Sequence, residues 1–198
     1  MFNKVLVDVD GVLLNWDEYF HEWLNLKGSY KIKNENAYYP SDRYEIPVNT
    51  AINFVNEFNN SSWIGFLPAL RDAKQGIDTL RRNGFIIECI TSFSNDVYSV
   101  ALREKNLKNV FGYYAFNSII CLPCSSSKYN SLSRYKDTNM FWIEDKWENI
   151  FDGLSHNLQP IILDHKYNRE IEHSNVHRFS TWKEITNFIL TTKQYNDP

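Results

Sequence analysis

The stretch "KVLVDVDGVLL", residues 4–14, decides the fold. Val5, Leu6, Val7 and Val9 are apolar and suit a buried strand. Asp8 and Asp10 interrupt them, and Gly11 follows at once. Charge is costly to bury, so two acids at the end of a core strand need a reason.

Working outward, similar short apolar runs recur. Residues 85–91, 118–122, 139–144 and 160–163 read as strands, rich in β-branched or aromatic residues. They are mostly apolar rather than alternating, as strands covered on both faces are. Helical patterns separate them. In residues 69–83, Leu70, Ala73, Ile77 and Leu80 recur at helical spacing, and Gly84 supplies a stop. Residues 95–107 follow Ser94 and Asn95 as candidate caps. Residues 146–155 and 181–192 complete the set. This alternation predicts an α/β fold with a central parallel sheet flanked by helices. Residues 15–67 break the pattern and read as a small, mainly helical insertion after the first strand. The core is then 1–14 with 68–198. Residues 28–47 give no regular pattern.

In an open parallel sheet, sites gather beyond the carboxyl ends of the strands. Residues i and i+2 of an extended chain point the same way, so Asp8 and Asp10 can face one pocket. Gly11 permits a sharp exit or a close backbone approach. Such a pair can bind Mg²⁺ through hard oxygen ligands, attack phosphorus or move protons. A pair of surface acids on a turn after an edge strand is the plainer alternative. The other strand ends weigh against it. The second strand ends in Thr91-Ser92, whose hydroxyls and N–H groups suit phosphate oxygens. The loop after the third carries Lys128 near a helix start, a point charge for a phosphate. The fourth ends in a second acid pair, Glu144-Asp145.

Taken in order, DVDGV, Thr91-Ser92, Lys128 and Glu144-Asp145 resemble the four motifs of the haloacid dehalogenase-like superfamily of phosphatases. "VLVDVDGVLLNWDEYF", "FLPALRDAKQGIDTLRRNGFIIECITS" and "STWKEI" resemble segments of its 5′(3′)-deoxyribonucleotidases. The resemblance implies a Rossmann-like core with the insertion as a type-one cap. It implies Asp8 as nucleophile, forming an aspartyl-phosphate, and Asp10 as general acid and base. Mg²⁺ would be held by Asp8, the Asp10 carbonyl and Asp145, with Glu144 beside them. Thr91, Ser92 and Lys128 would hold phosphoryl oxygens, helped by backbone N–H groups of Val9 and Gly11. Trp16 stands where those enzymes line the base site, with Tyr19, Phe20 and Trp63 as candidate neighbours. The spacing of Trp16, Tyr19, Phe20 and Trp23 equally suits a helix burying one face. Two positions depart from the family: Glu144 stands for an aspartate, and Lys146 replaces an arginine, losing its bidentate fork.

The expected substrate is therefore a small phosphate ester, foremost a (deoxy)nucleoside monophosphate. Another small ester, a polynucleotide phosphate end, or a non-catalytic binding role remain as alternatives. The net charge of −3 argues against a chain dominated by nucleic-acid or membrane attraction. The first apolar run is too short and acidic for a signal peptide, and no stretch is apolar enough to span a membrane. The expectation is a soluble, cytoplasmic enzyme that admits a homodimer. Cys89, Cys121 and Cys124 do not suggest a disulfide framework. The lone CxxC at Cys121–Cys124 and the HxxxH at His173–His177 lack the further ligands of a metal site.

Overall fold

The computed structural model describes residues 3–196. Six parallel strands form one sheet: β1 Lys4–Val7, β2 Ile86–Ser92, β3 Ser118–Leu122, β4 Phe141–Glu144, β5 Gln159–Leu163 and β6 His177–Phe179. Their order is β3-β2-β1-β4-β5-β6. The chain lays β2 and β3 to one side of β1, then returns to place β4 on the other. The topological switch point, where α/β sheets open a crevice, therefore lies at the end of β1. That is where the sequence places Asp8 and Asp10.

The helices are α1 Trp16–Lys27, α2 Pro40–Tyr44, α3 Val48–Asn59, α4 Ala73–Arg82, α5 Val97–Phe111, α6 Tyr129–Leu132, α7 Trp147–Ser155 and α8 Trp182–Asn196. Four of them, α4, α5, α7 and α8, follow the predicted pattern, with shifted ends. α4 begins later than expected because Arg71, at φ 41°, turns the chain before it. Gly84 ends it as predicted, at φ 79°. α5 is capped by Asp96, which accepts from the Ser99 N–H at 2.9 Å, not by Ser94 or Asn95. The strand β6 was not anticipated: three residues, "HRF", carry too little pattern to be read from sequence.

α1, α2 and α3 all lie between Asn15 and Pro68, and the two ends of this excursion are stitched together. Asn15 N–H donates to Pro68 O at 3.0 Å, and Leu70 N–H to Leu13 O at 2.8 Å. α1 buries Phe20, Trp23 and Leu24, packing Phe20 and Trp23 against Phe58 of α3 at 5.4 and 5.6 Å between ring centroids. These rings join the same buried cluster as Val5, Val7, Ile77 and Ile143 of the sheet layers. The 28–47 region, which has no regular sequence pattern, contains the short α2, begun by Pro40 at its first turn. Among the described residues, no helix is long and apolar enough to cross a membrane.

β6 is held to β5 partly through charge. Asp164, just past β5, accepts from Arg178 of β6 at 3.0 Å and from Arg169 at 2.6 and 2.9 Å. Burial alone would raise the Asp164 pKa, but the two guanidinium groups hold it below the ordinary carboxylate value. A depressed carboxylate stabilises the fold above its ordinary pKa and loses that contribution as pH falls through the folded value. Compared with Asp164→Asn, the wild type is expected to be more stable at pH 6, the difference shrinking progressively below about pH 4. Urea unfolding of both proteins across pH checks this; a difference that grows on acidification contradicts it.

Candidate functional site

Strand register sets the site. Val7 of β1 is level with Ile143 of β4 and Cys89 of β2. Asp8, one residue on, donates its N–H to Ile143 O at 2.9 Å and so lies beside Glu144. Thr91 and Ser92 close the end of β2 on the other side. Beyond Asp8 the chain winds into a tight turn: Val9 O accepts from Leu13 and Leu14 at 2.8 and 2.9 Å. Gly11 takes φ 76° there, and a Cβ on it would clash with Asp145 Oδ2. Only glycine fits both the dihedral and the gap. Gly11 N–H donates to Leu14 O at 3.0 Å. The turn thus uses that donor, while Gly11 itself lines the cavity.

Lys128, immediately before α6 and 1% exposed, sits between two strands' acids. Its Nζ is 2.6 Å from Asp8 Oδ1 and 2.8 Å from Glu144 Oε1, and 5.2 Å from the Trp142 ring centre. Burial alone would lower the Lys128 pKa, but Asp8 and Glu144 raise it above the ordinary lysine value. Glu144 is heavily bonded. Its Oε1 also accepts from Asn149 Nδ2, and its Oε2 from the N–H groups of Asp145 at 2.5 Å and Lys146 at 2.9 Å. Burial opposes its charge, yet Lys128 and these donors leave its pKa lowered. Asp145 lies opposite: burial, then Glu144 and Asp8, push its pKa well up. Asp8 moves up for the same reasons, burial first and Glu144 second.

Carboxylate oxygens of Asp8, Glu144 and Asp145 all lie within 4.8 Å of one another. Three hard oxygen donors, two of them disfavoured as anions by burial and mutual repulsion, fit a divalent cation of the Mg²⁺ kind. The Asp10 carboxylate is not in this cluster. It is paired with Arg103 of α5, through Nη1 at 2.6 Å and Nη2 at 2.9 Å. Burial raises the Asp10 pKa, and Arg103 pulls against that. Thr91 is buried, and Ser92 Oγ is buried with no hydrogen-bond partner. An orphaned hydroxyl at that position is a donor in wait for an anionic oxygen.

Asp8, Asp10, Thr91, Ser92, Lys128 and Asp145 open on one cavity of about 520 Å³. Trp16 lines it, while its indole N–H donates to Asn59 Oδ1 at 2.9 Å. Asn59, 3% exposed, passes its own N–H to Phe93 O at 2.9 Å, beside Ser92. α3 adds an apolar wall of Val48, Ala51, Ile52 and Val55. Across the mouth, Lys146 lies 5.0 and 5.2 Å from the ring centres of Tyr38 and Tyr39. Tyr39 donates to Glu148 at 2.9 Å, and Tyr167 donates to Asp145.

The remaining aromatic expectations are corrected. Phe20 is 1% exposed and stacks under Trp16 at 4.5 Å, so it is core. Tyr19 and Trp63 meet each other edge to face at 6.2 Å and do not line the cavity. Helical spacing put Tyr19 and Phe20 near Trp16, but successive positions of a helix point to different faces. Arg103, Asn59, Tyr38 and Tyr167 were missed. Each lies on a segment without a motif, and none has a local signal. Cys121 and Cys124 are free thiols, the latter lining the cavity. His177 packs on Phe188 at 4.3 Å and belongs to no ligand group among the described residues.

No family model matches the chain. An uncharacterized 32.4 kDa protein from the Gp30-rIII intergenic region of Enterobacteria phage T4 is 23% identical, over 96% of this chain and 70% of its own length. Among solved structures, a predicted phosphatase from Clostridium acetobutylicum aligns with a TM-score of 0.70 at 15% identity, covering 96% of this chain and 99% of that one. A haloacid dehalogenase-like family hydrolase from Streptococcus pneumoniae aligns at 0.66 and 11% identity, covering 94% and 98%. A D,D-heptose 1.7-bisphosphate phosphatase from B. bronchiseptica, complexed with magnesium and phosphate, aligns at 0.60 and 10%, covering 97% and 99%. The fold is accordingly that of the haloacid dehalogenase-like hydrolases: a Rossmann-like core with a central parallel sheet.

Gly11→Ala is expected to destabilise the protein by about 1–3 kcal/mol, from the forced left-handed backbone and the clash with Asp145. Thermal unfolding checks it; a melting temperature equal to wild type would mean the turn is not built as described.

Proposed function

We propose that this protein is a Mg²⁺-dependent phosphomonoesterase acting on (deoxy)nucleoside monophosphates through an aspartyl-phosphate. The observation that carries the reading is one cavity lined by two chemically different sets of residues. Asp8, Lys128, Thr91 and the unpartnered Ser92 hydroxyl form one set. The Trp16 ring and the apolar residues of α3 form the other and suit a flat organic group. The volume suits a ligand of nucleotide size.

In the reaction we propose, Asp8 Oδ attacks phosphorus while the P–O ester bond breaks. The departing oxygen takes a proton from Asp10. Water then attacks the acyl phosphate, gives its proton to Asp10 and releases Asp8 as carboxylate. Phosphoryl transfer needs alignment and charge neutralisation above all. Lys128, Thr91, Ser92 and the backbone of Val9 hold the phosphoryl oxygens. Asp8, Asp145 and the Asp10 carbonyl would hold Mg²⁺, which when bound offsets the charge that phosphate brings to an acidic site. Glu144 has both oxygens bonded within the protein and serves to hold Lys128. Residues 15–67 act as the cap that excludes water from the cavity, with Asn59 holding the Trp16 ring against the base. The polar carboxamides of Asn56 and Asn149 line the same cavity and can read polar edges of the substrate.

The test is phosphate release with and without Mg²⁺ from deoxyribonucleotides, ribonucleotides, 3′-nucleotides, sugar phosphates, an aryl phosphate and a 3′-phosphorylated oligonucleotide. Asp8→Asn serves as control. Metal-dependent release strongest with nucleotides and absent in the control is expected. Trp16→Ala is expected to cost nucleotides about 10-fold or more in kcat/KM, matching a lost base stack of about 1–3 kcal/mol, and the aryl phosphate less. Release from sugar phosphates or the oligonucleotide alone would replace the substrate class. Release from none would remove the enzyme reading.

A further inference from the structure

Arg103 takes no part in the steps above, yet it is the largest charged side chain buried in the protein. It is 0% exposed. Its two terminal nitrogens reach the two oxygens of Asp10 at 2.6 and 2.9 Å, and its guanidinium carbon lies 4.6 Å from the centre of the Phe93 ring. Its Nε is buried without a hydrogen bond. An arginine buried so completely is stable only against a well-aligned carboxylate. The carboxylate it has is the one that must meet the substrate's ester oxygen.

From this we infer that Arg103 is a positioning residue: its planar fork sets the orientation of the Asp10 carboxylate toward the leaving oxygen. The inference rests on the phosphatase reading. A carboxylate offers about four lone-pair sites, and a bidentate guanidinium takes one on each oxygen. The two outer sites stay open, and Asp10 lines the cavity with 22% of its side chain exposed. The fork therefore fixes the carboxylate in place without exhausting it. A lysine, as a point charge, cannot fix that plane.

The helix that carries Arg103 also fixes the end of the insertion. One turn on, Asn106 is buried and donates its carboxamide N–H to Leu67 O at 2.9 Å. Leu67 lies at the exit from the 15–67 segment. Residues i and i+3 share a helix face, so one face of α5 holds Asp10 through Arg103 and the insertion through Asn106. Phe93, on which Arg103 lies, also gives its carbonyl to Asn59. The proton-transfer group and the wall against which the organic part rests are thus registered by the same few side chains.

The test compares Arg103→Lys and Arg103→Met with wild type on two substrates, at saturating Mg²⁺. One is a nucleoside monophosphate, whose leaving alkoxide oxygen needs a proton. The other is nitrophenyl phosphate, whose leaving phenolate does not. The readout is kcat/KM, which reports the steps up to aspartyl-phosphate formation, because the later hydrolysis also uses Asp10 and slows kcat on both substrates alike. Misplacing Asp10 is expected to lower kcat/KM on the nucleotide by about 100-fold or more, the usual worth of a placed general acid, and on nitrophenyl phosphate by less than about tenfold. Equal losses of kcat/KM on the two substrates in both variants would overturn the inference, as would no loss. Near-ultraviolet circular dichroism and thermal melting follow folding; if neither variant folds, Arg103 is a structural residue and the inference fails. A wild type inactive on both substrates removes the phosphatase reading, and this inference with it.

Discussion

One buried ammonium group organises the centre of this protein. Lys128 bridges Asp8 at the end of β1 and Glu144 at the end of β4. Parallel pairing of these two strands brings their terminal acids side by side. Without a cation between them, two buried like charges would repel, and one would have to take up a proton. Removing one partner from such a group leaves an uncompensated charge, which costs far more than an exposed pair ever contributes. The loop from β3 to α6 must therefore deliver Lys128 to one point, and Glu144 is tied down from four donors so that it can receive it.

The rest of the site follows from that arrangement. Asp8 is held forward by Lys128, and Asp145 faces it from the loop after β4, close enough for a hard cation to join them. The turn after Asp8 is compact because Gly11 can take a left-handed backbone against Asp145. Its compactness brings Leu13 and Leu14 back beside Pro68 to Leu70, where the insertion leaves and returns. The insertion is packed through shared core rather than hung on a hinge alone, since its aromatic rings belong to the same buried cluster as the sheet. Trp16, Asn59 and Phe93 then connect the apolar lining of the cavity to the end of β2, where Ser92 lies.

Two substitutions in the motif pattern acquire a physical meaning. Glutamate at position 144 is one methylene longer than aspartate, and its carboxylate reaches Lys128 and Asn149 with one oxygen while accepting two backbone N–H groups with the other. Lysine at position 146 lies over Tyr38 and Tyr39. A cation over two aromatic faces is attracted without needing a fork, so the mouth of the cavity is shaped by a segment, residues 28–47, that has no regular sequence pattern.

The sequence by itself determined five of the six strands, the four helices that flank the sheet and the acids at the strand ends. Those features are local: buried strands announce themselves by apolar runs, helices by their period, and Asp8, Thr91, Lys128 and Glu144-Asp145 by their places at the ends of such runs. Only the tertiary structure decided which groups meet. Arg103 sits in an ordinary charged helix, and nothing within a few residues of it says that it turns inward to Asp10. Asn59, Tyr38 and Tyr167 are equally silent. The aromatic run at 16–23 was ambiguous for the same reason, since one helical spacing serves both a core face and a binding face. Phe58 of α3 packs on both rings at 5.4 Å, but Phe20 is enclosed further by Trp23 and Tyr44, while Trp16 keeps a face on the cavity. Contacts between residues tens of positions apart are set by the packing of whole elements, and no short window of sequence contains them.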